Sequence, residues 1–167
     1  MNDQKYKLTD FLPLIVIFSI IILFVGLRQF FIGLNLNLAM YDFMGAFFIV
    51  FSIFKIINLK NFAEAYSIYD LVAQRSIIYA YLYPFRELSL GIAYFLHWQP
   101  FIINLITLVI MLIGALGVAN ELRKNKTIMC ACLGTVFKIP MTYVTLFEDL
   151  LMAAMALYML IKYMLIK

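Results

Sequence analysis

Residues 101–120 read FIINLITLVIMLIGALGVAN, and no charged side chain interrupts them. As a helix rising about 1.5 Å per residue, this stretch reaches across the hydrocarbon core of a bilayer, which is about 30 Å thick. The whole chain has the same character, because 66% of its residues are hydrophobic and only 13% are charged, with a mean hydropathy of +0.99. The stretch therefore predicts an integral membrane protein of the all-α class.

Four further apolar segments flank residues 101–120 and predict further membrane-spanning helices. They cover residues 11–27, 40–59, 76–96 and 141–161. The sequence therefore predicts a polytopic bundle of five transmembrane helices. A polar and aromatic segment at 58–75 predicts an interfacial helix with tyrosines at headgroup level.

The predicted bundle divides into two parts. The N-terminal transmembrane helix occupies residues 1–35, and a compact four-helix unit occupies 36–167, with the first helix packed on its side. Gly114 and Gly117 give the helix at 101–120 a small-residue face that suits close packing.

Basic residues are distributed unevenly between the two ends of the predicted bundle. Five spans place nine lysines and arginines on the side of the N-terminus and three on the opposite side. The positive-inside rule then predicts a cytoplasmic N-terminus and an external C-terminus. Lys55, near the end of the second span, is expected to snorkel to the cytoplasmic surface. The net charge of +4 is explained by these loops and indicates no nucleic-acid partner.

Four ionisable residues lie inside the predicted spans: Arg86, Glu87, Glu148 and Asp149. An ionised side chain near the bilayer centre costs on the order of 3 kcal/mol, so these groups should face each other and not lipid. The two pairs lie at a similar depth on helices that run in the same direction. We therefore predict a buried polar centre in which Arg86 pairs with Glu148 or Asp149. It is either a structural clamp that fixes helix register or a site coupled to proton or electron movement.

Cys130 and Cys132 are the only cysteines of the chain. Thiols at this spacing diverge by about 200° on an α-helix but point the same way from an extended segment, and Gly134 favours an irregular backbone here. Lys126 and Lys138 favour the thiolate over the thiol. Three uses follow: a reducible disulfide, a thiolate pair for Cu(I) or another soft metal ion, or two small side chains packed against neighbours.

Three motifs of the sequence resemble the MauE/DoxX group of small, redox-associated proteins of the bacterial inner membrane, which are typically four-helix bundles. The motifs are YPFREL at 83–88, CACLG at 130–134, and KIP at 138–140 leading to Glu148 and Asp149. The resemblance covers roughly residues 41–162. The helix at 11–27 falls outside it and is an added span.

The resemblance implies a function in redox chemistry. For the MauE branch it implies help in maturing the disulfide-rich subunit of a periplasmic methylamine dehydrogenase, and for DoxX relatives an association with quinone or thiol oxidation. Cys130, Cys132 and Glu87 are carried over as motif matches. We expect a thiol-disulfide relay or maturation helper, which as an enzyme would be a membrane thiol oxidoreductase with Cys130 and Cys132 as the exchanging pair. The cofactor class expected is a quinone or a soft metal ion.

Two alternatives from other functional classes stay open. A protein that handles copper or another soft metal would use Cys130 and Cys132 as ligands. A non-catalytic assembly subunit would need only the apolar surfaces and the polar clamp. In each case the surroundings are the lipid bilayer, and the expected partner is a periplasmic or membrane protein.

Overall fold

A computed structural model describes residues 11–124 and 143–166, and every element in these ranges is helical. The helices are α1 (Leu12–Ile32), α2 (Leu36–Ile57), α3 (Leu59–Tyr69), α4 (Ile77–Phe95), α5 (Pro100–Arg123) and α6 (Tyr143–Ile166). The described part holds no strand, so the all-α prediction is confirmed.

Three helices in the described ranges are long and apolar enough to cross a membrane, namely α1, α2 and α5. They correspond to the predicted spans at 11–27, 40–59 and 101–120. The helices α4 and α6 lie where the sequence predicts the other two spans, and the count of five spans stays a prediction. The chain is thus a multi-pass membrane protein with an all-helical architecture.

The connection between α1 and α2 is a tight turn with clear local causes. Gly33 has a φ of +100°, which a residue with a side chain rarely adopts. Asn35 then caps α2, because its side-chain oxygen accepts hydrogen bonds from the backbone nitrogens of Asn37 and Leu38 at 3.0 and 3.2 Å. The turn folds α1 back along α2, where the ring of Phe18 packs 5.8 Å from that of Phe47.

A close approach between α2 and α4 forms the centre of the bundle. Gly45 and Gly91 face each other, and a Cβ atom on Gly91 would lie 3.0 Å from the backbone oxygen of Gly45 and 2.7 Å from a side-chain carbon of Ile49. The aromatic rings of Phe48 and Tyr94 stack beside this contact with their centroids 5.9 Å apart. A second extensive contact joins α5 to α6.

The short helix α3 packs inward against the bundle, mainly on α4. Phe62, Tyr66 and Tyr69 are buried, so the tyrosines do not have the headgroup exposure expected of an interfacial helix. Gly117 of α5 admits this packing, because a Cβ atom there would lie 2.6 Å from the backbone oxygen of Tyr69. With 11 residues, α3 is too short to span a bilayer, and it covers one end of the bundle core instead.

Candidate functional site

A buried ion pair joins α2 to α4. The ammonium nitrogen of Lys55 lies 2.6 Å from both carboxylate oxygens of Glu87, and the two residues are only 6% and 2% exposed. The rings of Phe62 and Tyr83 flank the ammonium, with centroids at 5.6 and 5.1 Å. Lys55 therefore does not snorkel to the surface as expected, because α3 folds over it and Glu87 neutralises its charge.

Arg86 lies outside this centre, and Lys55 supplies the positive charge in its place. The side chain of Arg86 is exposed, and its guanidinium carbon lies 5.0 Å from the centroid of the Tyr79 ring. No pairing of Arg86 with Glu148 or Asp149 is found in the described ranges. The reason is helical geometry: successive residues are rotated by about 100°, so Arg86 must point outward when Glu87 points into the bundle.

The structure brings Glu87, Glu148 and Asp149 together with Lys55 around one cavity. This cavity has a volume of about 40 Å³, measured as the space open to the centre of a water molecule. One ordered water needs about 10–15 Å³ on this measure, so the cavity can hold a small number of waters. Three of the four residues predicted for the buried polar centre thus line it.

Two acidic residues of α6 line one side of the cavity, and a glycine of α5 leaves room for one of their carboxyl groups. Glu148 is 6% exposed, and its Oε1 atom has no hydrogen-bond partner in the described part of the chain. A Cβ atom on Gly114 would lie 3.2 Å from an Asp149 carboxylate oxygen, so a larger residue there would crowd this carboxyl group. Three carboxyl groups thus share a cavity with a single ammonium.

If all three carboxyl groups were ionised, the cavity would carry a net negative charge. A buried cavity with room for only a few waters does not readily hold two uncompensated negative charges, so the uptake of protons or of a small cation would stabilise it. The described ranges contain no cluster of three or more His, Cys, Asp or Glu side chains that could hold a metal ion. Protonation of one or two of the three carboxyl groups would balance the charge of the single ammonium.

Tyr66 lines the cavity on the side of α3 and is held there by Asp70. The Tyr66 hydroxyl donates a hydrogen bond to Asp70 Oδ2 at 2.9 Å, and Asp70 Oδ1 accepts from the backbone nitrogens of Val72 and Ala73 at 2.9 and 2.8 Å. Burial raises the pKa of Tyr66 well above its usual value. The hydroxyl therefore stays protonated and serves as a fixed donor that holds the end of α3 in place.

The sequence carries a signal for the inward position of Lys55 in the spacing of its neighbours, and the lengths of the charge-free runs do not reveal it. Phe47, Phe51 and Lys55 follow one another at intervals of four residues, and all three line the cavity. Residues at this spacing share one face of a helix. A lysine that continues a buried aromatic stripe is thus expected to point inward and to need an acidic partner.

The two cysteines belong to the segment between α5 and α6. Cys130 and Cys132 belong to residues 125–142, which lie outside the described residues. Their pairing and their use as metal ligands stay predictions. Residues 125–142 join α5 to α6, and Glu148 follows in the second turn of α6.

A second polar cluster lies toward the opposite end of the bundle. The Tyr94 hydroxyl donates a hydrogen bond to Asn104 Oδ1 at 2.9 Å and lies within hydrogen-bonding distance of the Thr107 hydroxyl at 3.0 Å, which links α4 to α5. Arg28 forms an ion pair with the buried Asp42, which ties α1 to α2. These contacts satisfy buried polar groups and stabilise helix packing.

Comparison with known proteins identifies one family. The family model described as Methylamine utilisation protein MauE matches residues 34–162, a range that begins just before α2 and ends within α6. The helix α1 precedes the matched range, as the resemblance implied. No match was found among curated proteins or among solved structures.

Proposed function

We propose that this chain, which belongs to the MauE family, is a redox-associated membrane protein that relays thiol-disulfide equivalents to a partner protein. Its Cys130–Cys132 pair would oxidise the thiols of that partner and so help its disulfides to form. The family description concerns methylamine utilisation, which makes a disulfide-containing protein of methylamine metabolism the first partner to test. The observation that carries the proposal is the cavity in which three carboxyl groups face one ammonium.

The exchange itself needs two steps that balance in electrons and protons. A thiolate of the partner attacks the Cys130–Cys132 disulfide, and the second partner thiol resolves the mixed disulfide, leaving the partner oxidised and both cysteines as thiols. An oxidant of the quinone class then accepts two electrons and two protons from these thiols and restores the disulfide. Inside a membrane, those protons need an acceptor along the way.

The cavity is suited to provide that acceptor. The unpartnered oxygen of Glu148 is free to take a proton, whereas the carboxylate of Glu87 is held by Lys55. Asp149 adds a second carboxyl group next to Glu148. The role of the ion pair is then positional, because it fixes α2 and α4 around the acids, and Glu148 is the group that we assign to proton transfer.

Thiol counting tests the redox function most directly. The protein would be purified without oxygen and labelled with a maleimide before and after reduction, and its metal content would be measured on the same sample. Two labels that appear only after reduction support a disulfide between Cys130 and Cys132. Free thiols with a stoichiometric soft metal would replace the relay with metal handling. A fully active double serine variant would identify an assembly subunit.

The proton role of Glu148 has its own test. In the Glu148→Gln variant we expect slower reoxidation of the cysteine pair and loss of its dependence on pH, because the amide cannot carry a proton. Glu64→Gln is the matched control, since Glu64 is exposed on α3. An unchanged pH profile in the Glu148 variant would remove the cavity from the mechanism.

We place the protein in a bacterial inner membrane with its N-terminus in the cytoplasm, following the distribution of basic residues. This orientation puts Cys130 and Cys132 on the cytoplasmic side, where a structural disulfide would be reduced. An inverted orientation would expose them to periplasmic partners. Labelling intact cells with an impermeant maleimide distinguishes the two: labelling without lysis places the pair outside.

A further inference from the structure

An apolar groove runs between α4 and α5 on the outer surface of the bundle. It has a volume of about 420 Å³, and its walls include Leu82, Phe85, Ala93, Ile106 and Ile110. The groove arises because α4 packs mainly against α2, whereas α5 packs mainly against α6. In a membrane protein such a surface faces lipid chains.

One charged residue, Arg86, stands in the wall of this groove. Its guanidinium lies over the ring of Tyr79, seven residues nearer the start of α4, which corresponds to about 10 Å along the helix axis. The side chain thus extends toward the headgroup region at that end of the helix. The adjacent carboxylate of Glu87 is held by Lys55, and Arg86 forms no ion pair in the described ranges.

We propose that the groove is a binding site for an anionic phospholipid, with the lipid phosphate on Arg86 and an acyl chain between α4 and α5. A guanidinium binds a phosphate through two parallel hydrogen bonds and keeps its charge at all relevant pH values. The apolar walls accept the acyl chain, and Trp98 lies in the groove lining beyond the far end of α4. Charge complementarity selects an anionic lipid, since an exposed cation beside hydrocarbon needs a negative partner.

Lipid retention by the purified full-length protein tests this site. The protein would be reconstituted in vesicles of equal parts phosphatidylglycerol and phosphatidylcholine and extracted in mild detergent, and bound lipid would be counted by native mass spectrometry. We expect retained phosphatidylglycerol in the wild type and a loss of roughly tenfold or more in Arg86→Gln, as for the loss of a charge-assisted hydrogen bond. Arg86→Lys should retain an intermediate amount.

Two further variants distinguish lipid binding in the groove from a general attraction of lipid to surface charge. Arg75→Gln removes the same charge from an exposed turn outside the groove and should retain lipid as the wild type does. Ala93→Phe fills the groove without changing charge and should also lose lipid, provided that its helicity and elution volume match the wild type. Equal losses in Arg75→Gln and Arg86→Gln would overturn the proposal. So would equal retention of the two lipids by the wild type, or a change in oligomeric state as the only effect of Arg86→Gln.

Discussion

Replacement of Lys55 by methionine tests whether the buried ion pair holds the bundle together. Methionine preserves the length and apolar stem of the side chain but removes the ammonium. The carboxylate of Glu87 then loses both of its 2.6 Å contacts while only 2% of the residue is exposed to solvent. We expect a large loss of stability, because a buried charge is left without a partner.

The magnitude follows from the geometry of the pair. At 2.6 Å and an effective dielectric constant of 20, the gross attraction is roughly 6 kcal/mol. Desolvation of the two ions costs several kcal/mol each, so the net contribution of the intact pair is small. Removal of one partner is different and costs about 3–5 kcal/mol, since the remaining ion keeps its desolvation cost without its partner. For a chain of this size, this corresponds to a fall in Tm of roughly 6–20 °C.

A double-mutant cycle measured by thermal unfolding in detergent provides the assay. Lys55→Met and Glu87→Gln should each destabilise strongly, whereas the double variant should lie within about 1–2 kcal/mol of the wild type, because it removes both charges. Lys60→Met is the matched control on an exposed lysine and should change stability by less than about 0.5 kcal/mol. If the two single effects simply add in the double variant, the ion pair is not what stabilises this end of the bundle.

Three further substitutions, two of them with a matched control, give predictions for the stability of the bundle, all measured by thermal unfolding. Gly91→Ala would place a Cβ atom 2.7 Å from a side-chain carbon of α2 and should destabilise by about 1–3 kcal/mol. Gly26→Ala, with nothing within 4 Å, should leave stability unchanged or slightly raised, and equal effects at both glycines would refute the close approach. Tyr94→Phe removes a hydroxyl with two buried hydrogen bonds and should cost about 1–2 kcal/mol, whereas Tyr158→Phe at an exposed position should cost little. Glu148→Gln should leave Tm unchanged or raise it, because the carboxyl group has an unpartnered buried oxygen, and a marked fall would indicate a structural contact there.

The positions of the helices could be predicted from the sequence because hydrophobic length is a strong constraint in lipid. Residues 101–120 form most of α5, and 76–96 contains α4 almost to the residue. The inward packing of α3 could not be predicted in the same way. An amphipathic aromatic helix can lie at the membrane surface or pack into the helix bundle. The space left by Gly117 allows α3 to pack into the bundle.

The composition of the polar centre was predictable in part. Depth along the helices, which depends only on the rise per residue, predicted that Glu87, Glu148 and Asp149 lie close together, and all three line one cavity. The choice of Arg86 as the cation failed because depth carries no information about which face of a helix a residue occupies. Adjacent residues of a helix face different directions. The aromatic stripe that ends in Lys55 indicated that Lys55 points into the bundle.

The charge balance of the cavity bears on the choice between a structural clamp and a chemically active site. A clamp that fixes helix register needs one cation and one anion, and Lys55 and Glu87 already provide both. Glu148 and Asp149 add two further acids that no described cation neutralises, and one Glu148 oxygen lacks any described hydrogen-bond partner. Such groups reduce stability unless they bind protons, and apolar residues of similar size would pack the same space at less cost. Their presence at the start of α6, directly after the segment with the two cysteines, agrees with the proton transfer that we propose for Glu148.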